Sequence, residues 1–218
     1  MEYYFFESID STQDFLKRKL KENNSTKKIL ACALVQTAGY GQRKAQWLTT
    51  NNAVAMSFNI APCSMLTLTS LEMGILCCHF FSEHFNQELF LKWPNDIYNK
   101  KHKKVGGILL HTFDNECIVG IGINLQKNPQ SIENSASLDL EADSFEVSYK
   151  LHQYIFSHRM NPSEILEKFK NKCFHLKQNV VCDKTSGEFL GIDEFGRALI
   201  QNENNEIIAL SSGPLTFF

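Results

Sequence analysis

The sequence predicts an α+β protein in which a mixed sheet carries helices on one face and a small β-barrel follows at the C-terminus. Apolar runs typical of strands alternate with helical patterns up to Phe174, and beyond that residue the chain changes to short apolar runs separated by turns. With 218 residues, of which 43% are hydrophobic, the chain can bury one sizeable core and a small appendage. We therefore expect a larger domain over residues 1–177 and a smaller one over residues 178–218.

The N-terminal part of the chain predicts a strand, a helix and two further strands. Tyr3–Phe6 has the aromatic content of a strand, and Ser11 then opens a helical pattern. Ile29–Gln36 and Ala53–Ile60 are typical strand segments, and the loop between them contains glycines.

The middle of the chain predicts a long helix, a strand and a hairpin. Ser64 is expected to cap the helix, whose apolar residues recur at helical spacing. Leu89–Trp93 is a strand that Pro94 stops. Val105–Thr112 and Cys117–Leu125 are apolar runs separated by turn residues, which is typical of a hairpin.

Two helices and a set of short strands complete the predicted order. The helices cover Phe145–Phe156 and Pro162–Phe174, with Asn161 as the N-cap of the second. Glycine and asparagine turns separate the strands of the expected barrel. Those strands are Val180–Cys182, Glu188–Ile192, Ala198–Ile200 and Ile207–Leu210.

Charge and composition exclude several classes of partner. The 22 basic and 24 acidic residues give a formal net charge of -2, without the basic surface that nucleic acid requires. No apolar run approaches the length that spans a bilayer, and the acidic N-terminus lacks the features of a secretory signal. The seven cysteines are odd in number and contain no C-x-x-C pair, as expected of reduced thiols. We therefore expect a cytoplasmic protein that binds neither nucleic acid nor membrane.

The segment Gly39–Trp47 is the first candidate for chemistry. It combines two glycines with Arg43 and Lys44, a composition that can bring backbone N–H groups and positive charge to an anion. It is neither a Walker loop nor a dinucleotide fingerprint, because no Gly-Lys-Ser/Thr follows and Lys44 occupies the third glycine position. A hairpin loop with solvated charges explains this segment alone equally well.

The segment Lys92–Asp96 is the second candidate. It places a cation, an amide and a carboxylate at a strand end, where Pro94 forces the side chains into a loop. Such a set suits a phosphate and a metal ion. An ordinary Asn-Asp turn with a core tryptophan is the alternative interpretation.

Lys104 differs from the rest of the basic run at residues 100–104. The apolar segment Val105–Leu109 follows it directly, so its side chain leaves a solvated loop where a buried strand begins. Downstream, Gly120–Asn124 has glycines inside an apolar strand, which indicate the close approach of another backbone or of a ligand. Six of the seven glycines before residue 150 lie in the segments that begin at Gly39, Gly106 and Gly120, which favours one shared site.

These motifs, in this order, resemble those of the biotin protein ligases over essentially the whole chain. The matching segments are Ser11–Gln13, Gly39–Trp47, Lys92–Asp96, Lys104–Leu109 and Gly120–Asn124, followed by the expected barrel. The resemblance implies a class II synthetase-like catalytic core and an SH3-like C-terminal barrel. It also implies a ligase that makes biotinyl-5'-adenylate and pyrophosphate from biotin and ATP with Mg²⁺. The biotin would then pass to a lysine of a biotin carboxyl carrier protein, with release of AMP.

The resemblance also implies which residues form the site. Lys104 and Arg43 would be the catalytic cations, and Lys104 would neutralise charge as the biotin carboxylate attacks the α-phosphate. The expected biotin-binding residues are Ser11, Thr12, Gln13, Gln36, Gly39, Tyr40, Gly41, Gln42, Trp47, Lys104 and Gly106. The expected ATP-binding residues are Arg43, Lys92, Trp93, Asn95, Asp96 and Asn124, while the protein ligands of the magnesium ion stay open.

The glycine-containing loop departs from the family pattern. The pattern glycine-arginine-glycine-arginine stands here as Gly39-Tyr40-Gly41-Gln42, so two arginines are absent, and Arg43 follows one residue later. An uncharged side chain cannot pair ionically with a phosphate, so we expect this chain to retain the biotinyl-adenylate more weakly and release it faster than an arginine-containing relative.

The sequence also bears on the partners of the protein and on rival functions. The resemblance allows a homodimer, and the predicted strand at Tyr3 leaves no room for the N-terminal DNA-binding domain of repressor relatives. A lipoate or octanoyl transferase of the same fold is disfavoured by the motif at Lys92–Asp96 and by the C-terminal barrel. A non-catalytic biotin-binding module gives no reason for Lys104.

Overall fold

The computed structural model describes residues 1–23, 27–47, 52–127 and 136–217. Seven strands form a large sheet: β1 (Glu2–Ile9), β2 (Ile29–Gln36), β3 (Ala53–Ile60), β4 (Leu89–Lys92), β5 (Asp96–Asn99), β6 (Lys104–Phe113) and β7 (Glu116–Asn124). Their order across the sheet is β1-β2-β3-β7-β6-β5-β4. β1 and β2 are parallel and the other neighbours are antiparallel, so the predicted mixed sheet is confirmed.

The helices cover both faces of this sheet, whereas the sequence predicts helices on one face. They are α1 (Thr12–Asn23), α2 (Thr69–Phe85), α3 (Ser144–Ser157) and α4 (Pro162–Lys172), with short 3-10 helices at Gln42–Lys44 and Leu66–Leu68. Leu30 of β2 belongs to the core under α2 and α3, whereas its neighbour Ile29 packs in a separate cluster with Leu16 of α1. Because successive strand residues point to opposite faces, α1 lies on the other side of the sheet. All of β3 is buried, as expected of a strand covered on both faces.

The helix starts differ in how well the sequence predicts them. Asn161 caps α4 as predicted: its Oδ1 accepts from Glu164 N at 3.1 Å, and Glu164 Oε2 accepts from Asn161 N at 2.9 Å. The predicted cap at Ser64 is wrong. A 3-10 turn intervenes, and α2 begins at Thr69 after Leu68, which has no capping side chain.

β4 and β5 form a hairpin where the sequence predicts a loop after a single strand. The Trp93–Pro94 peptide is cis, and Lys92 pairs with Asp96 across the hairpin. β5 then pairs with β6 on its other side. The polar residues of the motif therefore lie at a tight turn that two strands hold in place.

The C-terminal part is a five-stranded antiparallel sheet, where the sequence predicts a small barrel. Its strands are β8 (Asn179–Cys182), β9 (Thr185–Ile192), β10 (Ala198–Gln201), β11 (Ile207–Leu210) and β12 (Leu215–Phe217), in the order β11-β10-β9-β8-β12. The sequence predicts all of them except β12. Phe189 and Leu215 belong to the same apolar core as the large sheet, and Trp93 Nε1 donates to Gly196 O at 2.9 Å. This sheet is thus fixed beside the turn at residues 92–96.

Of the helices in the described ranges, none is long and apolar enough to cross a membrane.

Candidate functional site

A cavity of about 320 Å³ lies between the large sheet, the loop at residues 39–47 and the C-terminal sheet. We call residues 39–47 the glycine loop. The rest of the wall comes from the end of β2, from β3, from the start of α1, from the turn at residues 92–96, from the strands β6 and β7 and from the segment 213–216. This volume is within the usual range for a small-molecule site.

One wall of the cavity is a network of buried polar side chains. Gln36 Oε1 accepts from Thr12 N at 2.8 Å and lies 3.1 Å from Thr12 Oγ1. Ser57 Oγ lies 2.9 Å from Thr12 Oγ1 and donates to Gln13 Oε1 at 2.8 Å. Ser11, Thr12, Gln13 and Ser57 are all buried. A ligand that meets this wall finds hydroxyl and amide groups already fixed by one another.

The orientation of Gln13 is set from behind the cavity. Its Nε2 lies 2.9 Å from His111 Nδ1 and donates to Ile118 O at 3.1 Å, so its Oε1 faces Ser57. Burial lowers the pKa of His111, and the nearby Lys17 lowers it further. The ring is therefore neutral at pH 7, and Nδ1 can accept the hydrogen bond from Gln13.

The glycine loop closes over the cavity as a short hairpin. Gly41 N donates to Ala45 O at 2.7 Å, and Trp47 N donates to Gly39 O at 2.9 Å. The Trp47 indole lies on Gly122, where an added Cβ would come within 2.5 Å of the ring. Only glycine leaves this space on β7. Trp47 Nε1 is buried and has no hydrogen-bond partner within the described ranges, so it can donate to a ligand.

Cationic and acidic side chains lie on the wall formed by β5 and β6. Lys104 Nζ forms an ion pair with Asp96 Oδ1 at 2.6 Å, with 40% and 19% of the two side chains exposed. Asn95 is fixed to β6, because its side-chain Nδ2 donates to Ile108 O at 2.7 Å and its backbone carbonyl oxygen accepts from Ile108 N at 2.8 Å. The ion pair is open enough for an anionic ligand to compete for Lys104.

Lys92 is held by aromatic rings. Its Nζ lies 5.7 Å from the ring centroid of Tyr98 and 5.7 Å from that of Phe217, within the range of cation–π contacts. Desolvation lowers the pKa of Lys92, Asp96 opposes this shift, and Lys104 adds to it. Lys92 is thus a partly dehydrated cation at the cavity wall.

Most of the residues that the sequence singles out lie on the cavity wall. They are Ser11, Thr12, Gln13, Gln36, Tyr40, Gly41, Gln42, Arg43, Trp47, Lys92, Trp93, Asn95, Asp96 and Lys104. Gly39, Gly106 and Asn124 are not part of the wall. Gly106 packs against β7, and Asn124 Nδ2 donates to Ala136 O at 3.0 Å. The ligand contacts of all these residues remain predictions.

Two parts of the wall are absent from the sequence prediction. Ser57 is a polar residue in a strand that is otherwise mostly apolar, and this contrast is a signal that could have found it. Gly213–Thr216 reach the cavity from the C-terminal sheet. No local sequence pattern indicates this contact, because it depends on how the two sheets pack.

Comparison with known proteins finds similarity to biotin and lipoate ligases. The model of the family described as biotin/lipoate A/B protein ligase matches residues 5–128. The solved structure of a biotin protein ligase from Aquifex aeolicus in complex with biotin and ATP superposes with a TM-score of 0.83 at 28% identity, over 100% of this chain and 98% of that one. A biotin acetyl coenzyme A carboxylase synthetase from Helicobacter pylori with bound biotinylated ATP superposes with a TM-score of 0.76 at 27% identity, over 95% and 99% of the two chains.

The curated relatives are longer proteins. A biotin–protein ligase of Schizosaccharomyces pombe is 27% identical over 91% of this chain and 39% of its own length. The chain spans between 39% and 44% of the length of the curated relatives it matches.

Proposed function

The chain belongs to the biotin/lipoate A/B protein ligase family, and from this premise we propose that it is a biotin protein ligase. It would make biotinyl-5'-adenylate from biotin and ATP and pass the biotinyl group to a lysine of a carrier protein. The observation that carries the proposal is one cavity with a buried hydroxyl and amide wall on one side and Lys104 on another.

The buried polar wall suits the ureido ring of biotin. That ring has one carbonyl acceptor and two N–H donors, and each would need a partner once it is out of water, at a cost of about 1–3 kcal/mol per unpaired group. Ser11, Thr12 and Ser57 have hydroxyls that can donate or accept, and Gln36 is fixed beside them. The Trp47 indole and Gly122 would cover the apolar part of the ligand.

Lys104 would stabilise the transition state of adenylation. In this step a carboxylate oxygen of biotin attacks the α-phosphorus of ATP, the bond to the β-phosphate oxygen breaks, and pyrophosphate leaves. Negative charge builds on the phosphoryl oxygens, and a fixed ammonium beside them lowers the barrier. Lys92 and Arg43 also line the cavity and would contact the phosphates.

Magnesium would enter with ATP. The described ranges contain no cluster of three or more His, Cys, Asp or Glu side chains able to hold a metal ion. Asp96 is the carboxylate on the cavity wall, and Asn95 adds an amide oxygen. This set fits Mg²⁺, which commonly takes one or two carboxylates together with phosphate oxygens and water. The metal would screen the phosphate charge.

In the second half-reaction, the neutral amine of the acceptor lysine would attack the carbonyl of the mixed anhydride and displace AMP. The acceptor would be a lysine of a biotin carboxyl carrier protein.

All seven cysteines are buried free thiols, which supports the cytoplasmic location expected from the sequence.

Biotin-dependent exchange between pyrophosphate and ATP tests the function. We expect exchange with biotin and none with lipoate. Exchange that depends on lipoate would favour a lipoate ligase, whereas biotin binding by calorimetry without any exchange would favour a non-catalytic module.

Lys104→Ala tests the assigned role of the lysine. We expect the exchange rate to fall by about 10²–10³, because one electrostatic contact to the transition state is lost. Lys101→Ala is the matched control, since Lys101 is an exposed lysine of the same hairpin, and it should leave the rate unchanged. A Lys104→Ala rate within about threefold of wild type would refute the assignment.

A further inference from the structure

The hydroxyl of Tyr40 connects the glycine loop to α1. Tyr40 OH donates to Asp14 Oδ1 at 2.6 Å and accepts from Lys17 Nζ at 2.8 Å. Lys17 Nζ also lies 3.3 Å from Asp14 Oδ1 and 5.4 Å from the Tyr40 ring centroid. The three side chains form a closed set of contacts between the cover of the cavity and the helix behind it.

These contacts lie directly beside the polar wall. Asp14 follows Thr12 and Gln13 in the first turn of α1, and Asp14 N lies 3.4 Å from Ser11 Oγ. On the other side, the Tyr40 backbone pairs with Gln46 in the hairpin of the glycine loop. A movement of Tyr40 would therefore carry the loop away from the residues that face the ligand.

The hydrogen bond from the Tyr40 hydroxyl to Asp14 is the strongest contact in this set. Asp14 and Lys17 are 42% and 30% exposed, and exposed ion pairs contribute little. A hydrogen bond from a hydroxyl to a carboxylate is charge-assisted and stronger than a neutral one. Burial raises the pKa of Tyr40, and the hydrogen bond to Asp14 raises it further, so the hydroxyl keeps its proton at neutral pH.

We propose that Tyr40 is a positioning residue that latches the glycine loop onto α1 before any substrate binds. The inference rests on the proposed ligase function and deepens it. Tyr40 stands where the family resemblance expects an arginine, and its side chain turns to α1 instead of offering a charge to a phosphate. The latch sets the affinity for biotin and not the chemical step.

Tyr40→Phe removes the hydroxyl and keeps the ring. We expect the Kd for biotin, measured by calorimetry, to rise about tenfold, while kcat and the KM for ATP in pyrophosphate exchange stay within about twofold. Tyr154→Phe is the matched control, because Tyr154 OH also donates to a carboxylate, Glu83 Oε1 at 2.8 Å, and Tyr154 is not part of the cavity wall. Asp14→Ala should reproduce the effect. The double variant should bind biotin no more weakly than Tyr40→Phe alone, because both substitutions remove the same hydrogen bond between Tyr40 and Asp14.

Amide hydrogen exchange without ligand measures directly how firmly the glycine loop is held. In Tyr40→Phe the amides of Gly41 and Trp47, which close the hairpin, should exchange faster, while amides of β6 and β7 keep their protection. Saturating biotin should restore the slow exchange. Unchanged amide exchange, an unchanged Kd, or equal losses in kcat and the KM for ATP would each overturn the latch. If wild type fails to bind biotin, the proposed function fails, and the exchange measurement still tests the latch.

Discussion

His152 lies on α3 with no exposed surface, and neither of its ring nitrogens has a hydrogen-bond partner within the described ranges. Its neighbours are the aromatic rings of Tyr3, Phe58 and Phe156. An apolar environment of this kind disfavours the imidazolium, and burial lowers the pKa of His152 to about 4. His175 is equally buried, and burial together with Lys92 lowers its pKa to about 3. Both rings are neutral in the folded protein at physiological pH.

Because the pKa values of these two histidines are lowered in the folded protein, we expect the protein to lose stability in acid. In the unfolded chain they titrate near pH 6.5, so below that pH the unfolded state binds more protons than the folded state. The free energy of unfolding should therefore be unaffected by these groups above pH 6.5 and fall as the pH drops towards 4. For His152 alone the full effect is roughly 3 kcal/mol.

Urea unfolding at pH 7.5 and pH 4.5 checks this prediction. His152→Leu should lose less free energy of unfolding between the two pH values than wild type does. His158→Leu, at the exposed end of the same helix, should behave like wild type. The same pH-dependent loss in His152→Leu and wild type would rule out His152 as the cause.

At the scale of elements, the sequence predicts the strands that contain a clear apolar run and misses β5 and β12. The bounds of β2 and β3 agree with the prediction, because each is a long apolar run with clear ends. β5 and β12 have four and three residues, and their pairing with β4, β6 and β8 stabilises them more than any local pattern does. Local sequence patterns also cannot predict on which side of the sheet α1 packs, because an amphipathic helix fits either face.

The candidate site is likewise predictable where a local sequence pattern marks its residues. The residues from the glycine loop and from the turn at 92–96 are predictable because glycine, proline and charged side chains cluster there. The segment Gly213–Thr216 is not, since its approach to the cavity depends on packing between the two sheets.

β12 gives the C-terminal sheet a direct contact with a cation of the site. The Phe217 ring covers Lys92 and packs against the ring of Phe174, with 5.4 Å between the two centroids. Phe217→Ala should expose Lys92 to water and loosen it, which raises the KM for ATP about threefold to tenfold with the KM for biotin unchanged. Phe217→Tyr should retain wild-type values, and Phe195→Ala, which removes an exposed ring over Arg197, should have no effect. Equal changes in both KM values would argue against this link.

At the scale of the whole molecule, the large sheet ends at β1 with an apolar surface. β1 is the terminal strand in the sheet order, and the backbone groups of such an edge are available to another strand. Four of the eight exposed large hydrophobic side chains of the described ranges lie here, namely Met1, Tyr3, Phe5 and Tyr149. A concentration of this kind marks an interaction surface.

A second copy of the chain can use this edge through a two-fold axis. Opposed residues of an antiparallel pair have side chains on the same face, so Tyr3 of one copy and Phe5 of the other can lie opposite each other and form aromatic pairs. We therefore expect a concentration-dependent homodimer in sedimentation velocity. Phe5→Lys should give a monomer with an unchanged circular dichroism spectrum, because the side chain is already 45% exposed and a charge at an edge opposes pairing. Phe195→Lys is the matched control, since Phe195 is also 45% exposed but lies in the turn between β9 and β10, and it should leave the dimer intact. A wild-type protein that stays monomeric at high concentration, or a Phe5→Lys variant that still dimerises, would exclude pairing through β1.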